Sequence, residues 1–173
     1  MQPVQFQKAM VFIDGTNLFH RLQGAKLRLN RPLPEIVRGY LGGRQIVRIY
    51  LYTIQEHLER ATAIHGPLLT NGVRVVLGEG VPTGDGNTKE KGVDALLVAD
   101  LIYHAAVKNY DYALLVSTDT DFVPALHRVE DFGCRTGVLS LCAPVPPRLQ
   151  GVSDEAEWVS ADRMKNDGQA VPV

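Results

Sequence analysis

Apolar runs rich in β-branched and aromatic residues alternate along this chain with segments whose apolar residues recur at helical spacing. This alternation is typical of βαβ units, which build a parallel sheet flanked by helices. It predicts strands at residues 9–14, 45–53, 73–79, 112–117 and 134–141. It predicts helices at 18–22, 35–41, 55–69, 93–108 and 121–131, and a polar, glycine-rich loop at 81–92. We therefore expect an α/β fold, with 3-2-1-4-5 as the strand order that would make the first and fourth strands neighbours.

The composition indicates one folded domain. The chain has 173 residues, of which 45% are hydrophobic, and this is too apolar for a disordered protein. We expect a domain over residues 1–161 and a flexible C-terminal tail over 162–173, because the chain is polar after Trp158. Cys134 and Cys142 fall on one predicted strand, about 26 Å apart, so they should be free thiols of the core.

The charge and the terminal pattern bear on partners and location. A formal net charge of -1 gives the chain no overall attraction for polyanions. No stretch approaches 18 uninterrupted apolar residues, and the N-terminus lacks the layout of a signal peptide. We therefore predict a cytoplasmic protein with no membrane partner.

Carboxylates follow two of the predicted strands at the point where each strand ends. Asp14 ends the first strand, and Asp119 and Asp121 follow the fourth. Parallel sheets bind ligands at the carboxyl ends of their strands, where the strand order reverses. If the first and fourth strands are neighbours, these acids meet there, and Asp94 begins a helix that starts from the same edge.

Four carboxylates in one crevice repel one another, and their pKa values should rise unless a cation neutralises them. Carboxylate oxygens suit Mg²⁺ or Mn²⁺, which also accept phosphate oxygens of a substrate. The pattern therefore favours metal-assisted hydrolysis of a phosphate ester, in which the ion activates water. Asn17 and Ser117 stand beside these acids and could orient waters or contact phosphate.

Each residue also has a structural interpretation. Asp94 and Asp121 could cap their helices, and Thr16 is expected to cap the first helix. Asn17 and Ser117 are common turn residues. A pair of aspartates separated by one residue also occurs in loops that bind no metal. The combination of acids after two separate strands is what favours a site.

Three motifs in order, FIDGTN at 12–17, KGVD at 91–94 and STDTDF at 117–122, resemble the signature of the NYN domain family. This family belongs to the PIN-like nuclease superfamily, and the chain is similar to its LabA-like bacterial group. The resemblance implies a three-layer α/β PIN-like fold with a central, mainly parallel sheet of five or six strands flanked by helices. It also implies an Mg²⁺- or Mn²⁺-dependent ribonuclease. Asp14, Asp94 and Asp119 would bind the metal, and Asp121 would be a fourth catalytic acid. Asn17 would support them. Thr118 stands where the family often has glycine, which raises the question of its local backbone.

An RNA substrate requires basic side chains near the acids. The segment from Arg21 to Arg31 has no acidic residue, and Lys89 and Lys91 lie just before Asp94. We predict that Lys91, Lys89 and Arg28 contact the phosphates of a single-stranded RNA, although solvated surface positions are the common alternative. Phe19 and Phe122 could stack on bases or belong to the core.

Other functions are compatible with parts of the pattern. A haloacid dehalogenase-type phosphatase is disfavoured, because Phe12 stands where its nucleophilic aspartate is required. A DxD glycosyltransferase would need an acceptor domain for which 173 residues leave little room. A weakly active or inactive RNA- or nucleotide-binding regulatory module is the main alternative. A homodimer through the face formed by Arg48, Tyr50 and Tyr52 stays open, as does burial of this face under a helix.

Overall fold

The structure is a computed structural model, and it describes residues 6–173. Residues 1–5 lie outside the described residues. They are part of the predicted domain 1–161 and of the N-terminus, for which no signal peptide was predicted. The strands are β1 (Lys8–Asp14), β2 (Leu27–Leu29), β3 (Gln45–Thr53), β4 (Arg74–Leu77), β5 (Glu79–Pro82), β6 (Thr88–Lys91), β7 (Tyr112–Val116), β8 (Arg135–Leu141), β9 (Glu155–Val159) and β10 (Ala170–Pro172). The helices are α1 (Gly15–Gly24), α2 (Leu33–Arg38), α3 (Gln55–His65), α4 (Pro67–Thr70), α5 (Val93–Ala106), α6 (Val123–Asp131), α7 (Pro147–Val152) and α8 (Ala161–Asn166), with a 3-10 turn at Thr120–Phe122.

The central sheet has six parallel strands in the order β4-β3-β1-β7-β8-β9. The predicted order of five strands corresponds to β4-β3-β1-β7-β8 and is confirmed. β9 adds a sixth strand at the edge, where most of its side chains are exposed. Its apolar content is too low for the pattern to predict it.

Side chains on the two faces of the sheet pack into separate cores. Val11 and Ile13 of β1 lie in one core, which includes buried residues of α1, α2 and α3. Met10 and Phe12 point to the opposite face, where residues of α5, α6 and α7 pack. The alternation follows from the two-residue period of a strand. The molecule is a three-layer α/β fold, as predicted.

The polar segment predicted as a loop is in fact a β-hairpin. β5 and β6 pair antiparallel, and the backbone N–H of Thr83 donates to the carbonyl oxygen of Asn87 at 2.7 Å. Gly86 has φ of 82°, a conformation that glycine adopts without strain. The glycines that suggested a loop therefore form the turn of the hairpin.

The prediction of a flexible tail over 162–173 is wrong. α8 and β10 lie within this segment or overlap it, and β10 pairs antiparallel with β2. The side chains of Met164 and Ala170 are buried in the core beneath α1 and α2. A six-residue helix is too short to show a clear apolar period, and β2 has only three residues.

Several smaller predictions are settled by the same packing. The predicted helix over 55–69 breaks at Gly66 and Pro67 into α3 and α4. Tyr50 and Tyr52 are buried with residues of α5, so this part of the second predicted strand is core and not an open dimer face. Both cysteines are free, as predicted. Within residues 6–173, no helix has the length and apolarity needed to cross a membrane.

Candidate active site

Asp14 lies at the carboxyl end of β1, where two neighbouring elements hold its carboxylate. Ile13 is paired with Val116, so Ser117 follows β7 beside Asp14. The Ser117 hydroxyl donates to Asp14 Oδ2 at 2.8 Å. The backbone N–H of Asn17 donates to Asp14 Oδ1 at 3.1 Å, which makes Asp14 the N-cap of α1. Thr16 was expected at this capping position, and that prediction is wrong.

Gly15 places the start of α1 directly against the sheet. A Cβ at this position would lie 2.7 Å from the carbonyl oxygen of Tyr52 in β3. A Cβ atom essentially never comes this close to another heavy atom, so a side chain here would push α1 away from β3. Glycine therefore sets the distance between the sheet and the helix on which Asn17 lies.

The segment after β7 is ordered by its own side chains and by α1. The backbone N–H of Asp119 donates to Ser117 Oγ at 3.0 Å, and that of Asp121 donates to Asp119 Oδ1 at 2.8 Å. Asn17 Nδ2 donates to Thr118 Oγ1 at 2.9 Å, and Asn17 Oδ1 accepts from the Thr118 backbone N–H at 3.2 Å. Thr118 is not one of the residues within 6–173 whose backbone has a positive φ; its φ is negative. The local backbone therefore accepts threonine without strain.

Asp94 lies in the first turn of α5, with part of its surface open to solvent and part of it covered. The N-cap of α5 is Gly92, in a left-handed conformation, and no side chain caps this helix. At the 3-10 turn the capping side chain is that of Asp119, not Asp121. The capping interpretations of Asp94 and Asp121 are therefore wrong, and their carboxylates are left for another role.

The electrostatics show that the four aspartates share one edge of the sheet. Burial raises the pKa of Asp14 to about 6 despite its two hydrogen bonds, and repulsion from Asp94 and Glu90 adds to the rise. The pKa of Asp94 is also raised, first by partial burial and then by repulsion from Asp119, Glu90 and Asp121. Asp94 therefore lies within range of the charges of Asp14, Asp119 and Asp121.

Glu90 is a fifth acid at this edge, and it is absent from the sequence-based predictions. It lies on β6, whose Thr88 and Glu90 side chains are half-buried while Lys89 and Lys91 are exposed. Thr16 Oγ1 donates to Glu90 Oε1, and His57 Nδ1 lies 3.1 Å from the same oxygen. The alternation of the sequence TKEK was the available signal, but the flanking glycines obscured it.

The predicted basic contacts differ in where the structure places them. Lys89 and Lys91 point away from the face of the hairpin that presents Glu90, because alternate residues of a strand face opposite sides. Arg28 is exposed on β2, which pairs with the C-terminal strand. Arg21, within the same basic segment, donates to Thr118 Oγ1 at 2.7 Å and so reaches the acidic edge. Phe122 is buried core, so its proposed stacking on bases is wrong.

The donor set has the right chemistry for a hard cation. Carboxylate oxygens of Asp14, Asp94 and Asp119 suit Mg²⁺ or Mn²⁺, and mutual repulsion leaves this edge in need of positive charge. Among residues 6–173, however, no three His, Cys, Asp or Glu side chains stand close enough to hold an ion together. Mg²⁺ is commonly held by one or two carboxylates and several waters, and the arrangement fits that kind of site.

The three-layer structure with acids at the carboxyl edge of its sheet is a PIN-like nuclease fold. The sequence profile of the NYN domain matches residues 8–157, and the chain belongs to the NYN domain family. A crystal structure of a protein of unknown function from Vibrio parahaemolyticus RIMD 2210633 is similar, with a TM-score of 0.71 and 19% identity. The match covers 99% of this chain and 100% of that one, and at this identity it shows the fold alone. The comparison with curated proteins finds no match.

Proposed function

We propose that this chain is a metal-dependent ribonuclease that hydrolyses RNA phosphodiesters at the edge formed by Asp14, Asp94, Asp119 and Asp121. The observation that supports this most directly is the buried carboxylate of Asp14, whose pKa is raised to about 6 next to Asp94 and Glu90. Perturbed acids in such a crevice are typical of functional sites. Membership of the NYN family adds independent support.

The cofactor in this proposal is Mg²⁺ or Mn²⁺. One or two of the predicted ligands Asp14, Asp94 and Asp119 would hold it directly, waters would complete its coordination, and Asp121 would lie nearby. When bound, the cation would supply an activated water and stabilise negative charge on the phosphate. Ser117 and the backbone of Asn17 fix the direction of the Asp14 carboxylate through their hydrogen bonds. Asn17 also orders the segment that leads to Asp119.

The substrate is proposed to be single-stranded RNA. Arg21 supplies positive charge next to the acids, and Lys89, Lys91 and Arg28 would contact phosphates farther along the strand. A cytoplasmic location and the LabA-like subgroup are part of the same proposal, and they rest on the sequence arguments given above. A homodimer is not part of it, because Tyr50 and Tyr52 of the face considered for it are buried.

The test is Mn²⁺-dependent cleavage of an end-labelled single-stranded RNA by the purified protein. Asp94→Asn and Asp119→Asn should each lower the cleavage rate at least 100-fold, because each removes a ligand charge from the edge. Asp131→Asn, at the exposed end of α6 and paired with Arg128, is the matched control and should cleave like the wild type. Equal cleavage by the wild type and Asp119→Asn would point to a contaminating nuclease and refute the proposal.

The alternative is an RNA-binding regulatory module that lacks useful turnover. One observation favours it: within the described residues, no three acids stand close enough to hold a metal ion without rearrangement. Binding of RNA without cleavage in Mg²⁺, Mn²⁺ or any other divalent cation would establish this alternative in place of the enzyme.

A further inference from the structure

A cavity of about 470 Å³ opens between α1 and α3, beside the acidic edge. Leu27 of β2 and Val173 contribute to its lining. Its volume lies in the range of sites that bind small organic ligands. Thr16 connects the two regions, since it lines the cavity and its hydroxyl donates to Glu90, one of the five acids. A ligand in the cavity would therefore lie next to a phosphate at the acids.

The lining combines apolar surface with basic side chains. Phe19, Ala61 and Ile64 supply apolar area, and the side chains with a full charge are Lys26 and Arg60, of which Arg60 is paired with Glu56 on the same helix. This combination suits a flat, partly apolar ring that is attached to an anionic group.

His65 gives the cavity a specific hydrogen-bond donor. Its side chain lines the cavity although only 6% of the residue surface is exposed. Its Nδ1 accepts from the backbone N–H of Leu29 at 3.2 Å. Because Nδ1 accepts this hydrogen bond, the proton of the neutral ring is on Nε2, and burial favours this neutral form by lowering the pKa of His65.

Within residues 6–173, Nε2 of His65 makes no hydrogen bond. The atom is not completely buried, however, so a ligand can reach it. His65 is also one of the residues that line the cavity, so Nε2 is available to a ligand bound there. An N–H donor without a protein partner favours a ligand that has an acceptor atom. The hydrogen bond to that ligand then satisfies the N–H group.

We propose that this cavity binds one nucleotide. Its base would lie beside Phe19, an acceptor atom of the base would take the Nε2 proton of His65 in a hydrogen bond, and Lys26 and Arg60 would neutralise the phosphate. The assignment of this nucleotide to an RNA strand, next to the phosphate that is cleaved, rests on the proposed function. A free nucleoside monophosphate has the same chemistry, and the experiment separates the two sources.

The experiment titrates the four nucleoside 5′-monophosphates into the full chain in EDTA, where the acids repel phosphate and the cavity alone can bind it. Long-range ¹H–¹⁵N NMR spectra follow the imidazole nitrogens of the histidines. Ile64→Glu places a negative charge at the cavity, and Val107→Glu is the control at the end of α5 in the opposite layer. The two side chains are 45% and 46% exposed, so both variants should fold.

At least one nucleotide should shift the His65 Nε2 signal in a saturable way. Ile64→Glu should weaken this binding at least tenfold, and Val107→Glu should change it less than twofold. Phe19→Leu should weaken it and Phe19→Tyr should retain it, because the stacking needs an aromatic ring. Absence of a His65 shift with all four nucleotides overturns the proposal, even if the protein cleaves RNA normally.

A second arm compares a five-nucleotide single-stranded RNA with the mononucleotides. Binding of this RNA at least tenfold tighter than that of the best mononucleotide, lost in Ile64→Glu, supports the assignment to an RNA strand. Equal affinity for both overturns that assignment and leaves a site for the free nucleotide. If the His65 signal shifts but RNA is never cleaved in Mn²⁺, the ribonuclease proposal fails while the cavity assignment stands.

Discussion

The hydroxyl of Ser117 donates to Asp14 Oδ2 at 2.8 Å and joins the ends of two strands that are 103 residues apart in the sequence. Ser117 Oγ also accepts the backbone N–H of Asp119 at 3.0 Å. One buried hydroxyl therefore fixes two of the proposed metal ligands relative to each other.

Replacement of Ser117 by alanine should destabilise the protein. The change leaves the Asp119 N–H without its acceptor and Oδ2 of the buried Asp14 carboxylate without its donor, which costs about 1–3 kcal/mol. Because this hydrogen bond lowers the pKa of Asp14, the loss should be larger at pH 7.5 than at pH 4, where the carboxyl is protonated. Urea unfolding at both pH values measures this, and Ser117→Thr is the control that retains the hydroxyl. An unchanged free energy of unfolding would contradict the structure.

Asp14→Asn should stabilise the metal-free protein at neutral pH. The pKa of Asp14 is raised from 3.8 to about 6, so the folded state holds this proton more tightly than the unfolded state. The charged carboxylate thus costs roughly 3 kcal/mol of stability above pH 6, and this cost disappears as the pH falls below 4. Asparagine is a good N-cap and removes the charge. Unfolding in EDTA should show a gain at pH 7.5 and little difference at pH 4. A loss at pH 7.5 would refute the electrostatic account.

Mn²⁺ should raise the stability of the wild type by relieving the repulsion among the acids. At 100 times its dissociation constant, a ligand that binds only the folded state adds about 2.7 kcal/mol. Thermal unfolding should show this increase in the wild type and a much smaller one in Asp94→Asn. The control is Asp162→Asn, whose side chain is 84% exposed on α8. The same metal effect in Asp94→Asn as in the wild type would exclude Asp94 as a ligand.

Arg21→Ala should weaken RNA binding more than Arg28→Ala. Arg21 reaches the acidic edge through its hydrogen bond to Thr118, whereas Arg28 lies on the exposed side of β2. We expect a loss of about tenfold for Arg21→Ala and less than threefold for Arg28→Ala at low salt. Fluorescence anisotropy with a labelled single-stranded RNA measures both. A larger loss of RNA binding for Arg28→Ala than for Arg21→Ala would make Arg28 the more important phosphate contact.

Met164→Ala should lower the free energy of unfolding by about 2–4 kcal/mol, because the side chain is fully buried in the core on the α1 side of the sheet. The neighbouring exposed residue Lys165 offers the control, and Lys165→Ala should change the stability by less than about 0.5 kcal/mol. Urea denaturation followed by circular dichroism gives both values. A negligible effect of Met164→Ala would show that the C-terminal segment does not belong to the fold.

The sequence was sufficient to predict the strand order, and with it the placement of Asp14 and Asp119 after two neighbouring strands. Long strands with continuous apolar runs, such as β1 and β7, have a strong signal, and acids directly after them mark the carboxyl edge. Glu90 was missed because its strand is four residues long and follows a glycine-rich turn. The packing of the C-terminal segment was missed because it depends on pairing with β2, a partner far away in the sequence and only three residues long.

The hairpin formed by β5 and β6 places Glu90 next to acids that come from the sheet and from α5. Its strands pair with each other and not with the six-stranded sheet. Movement of this hairpin away from the sheet would remove the negative charge of Glu90 from the edge. Every strand of the central sheet would stay in register. The charge available to attract a cation or to repel a phosphate can therefore change at the cost of the contacts of Glu90 with Thr16 and His57, while the pairing of the central strands is kept.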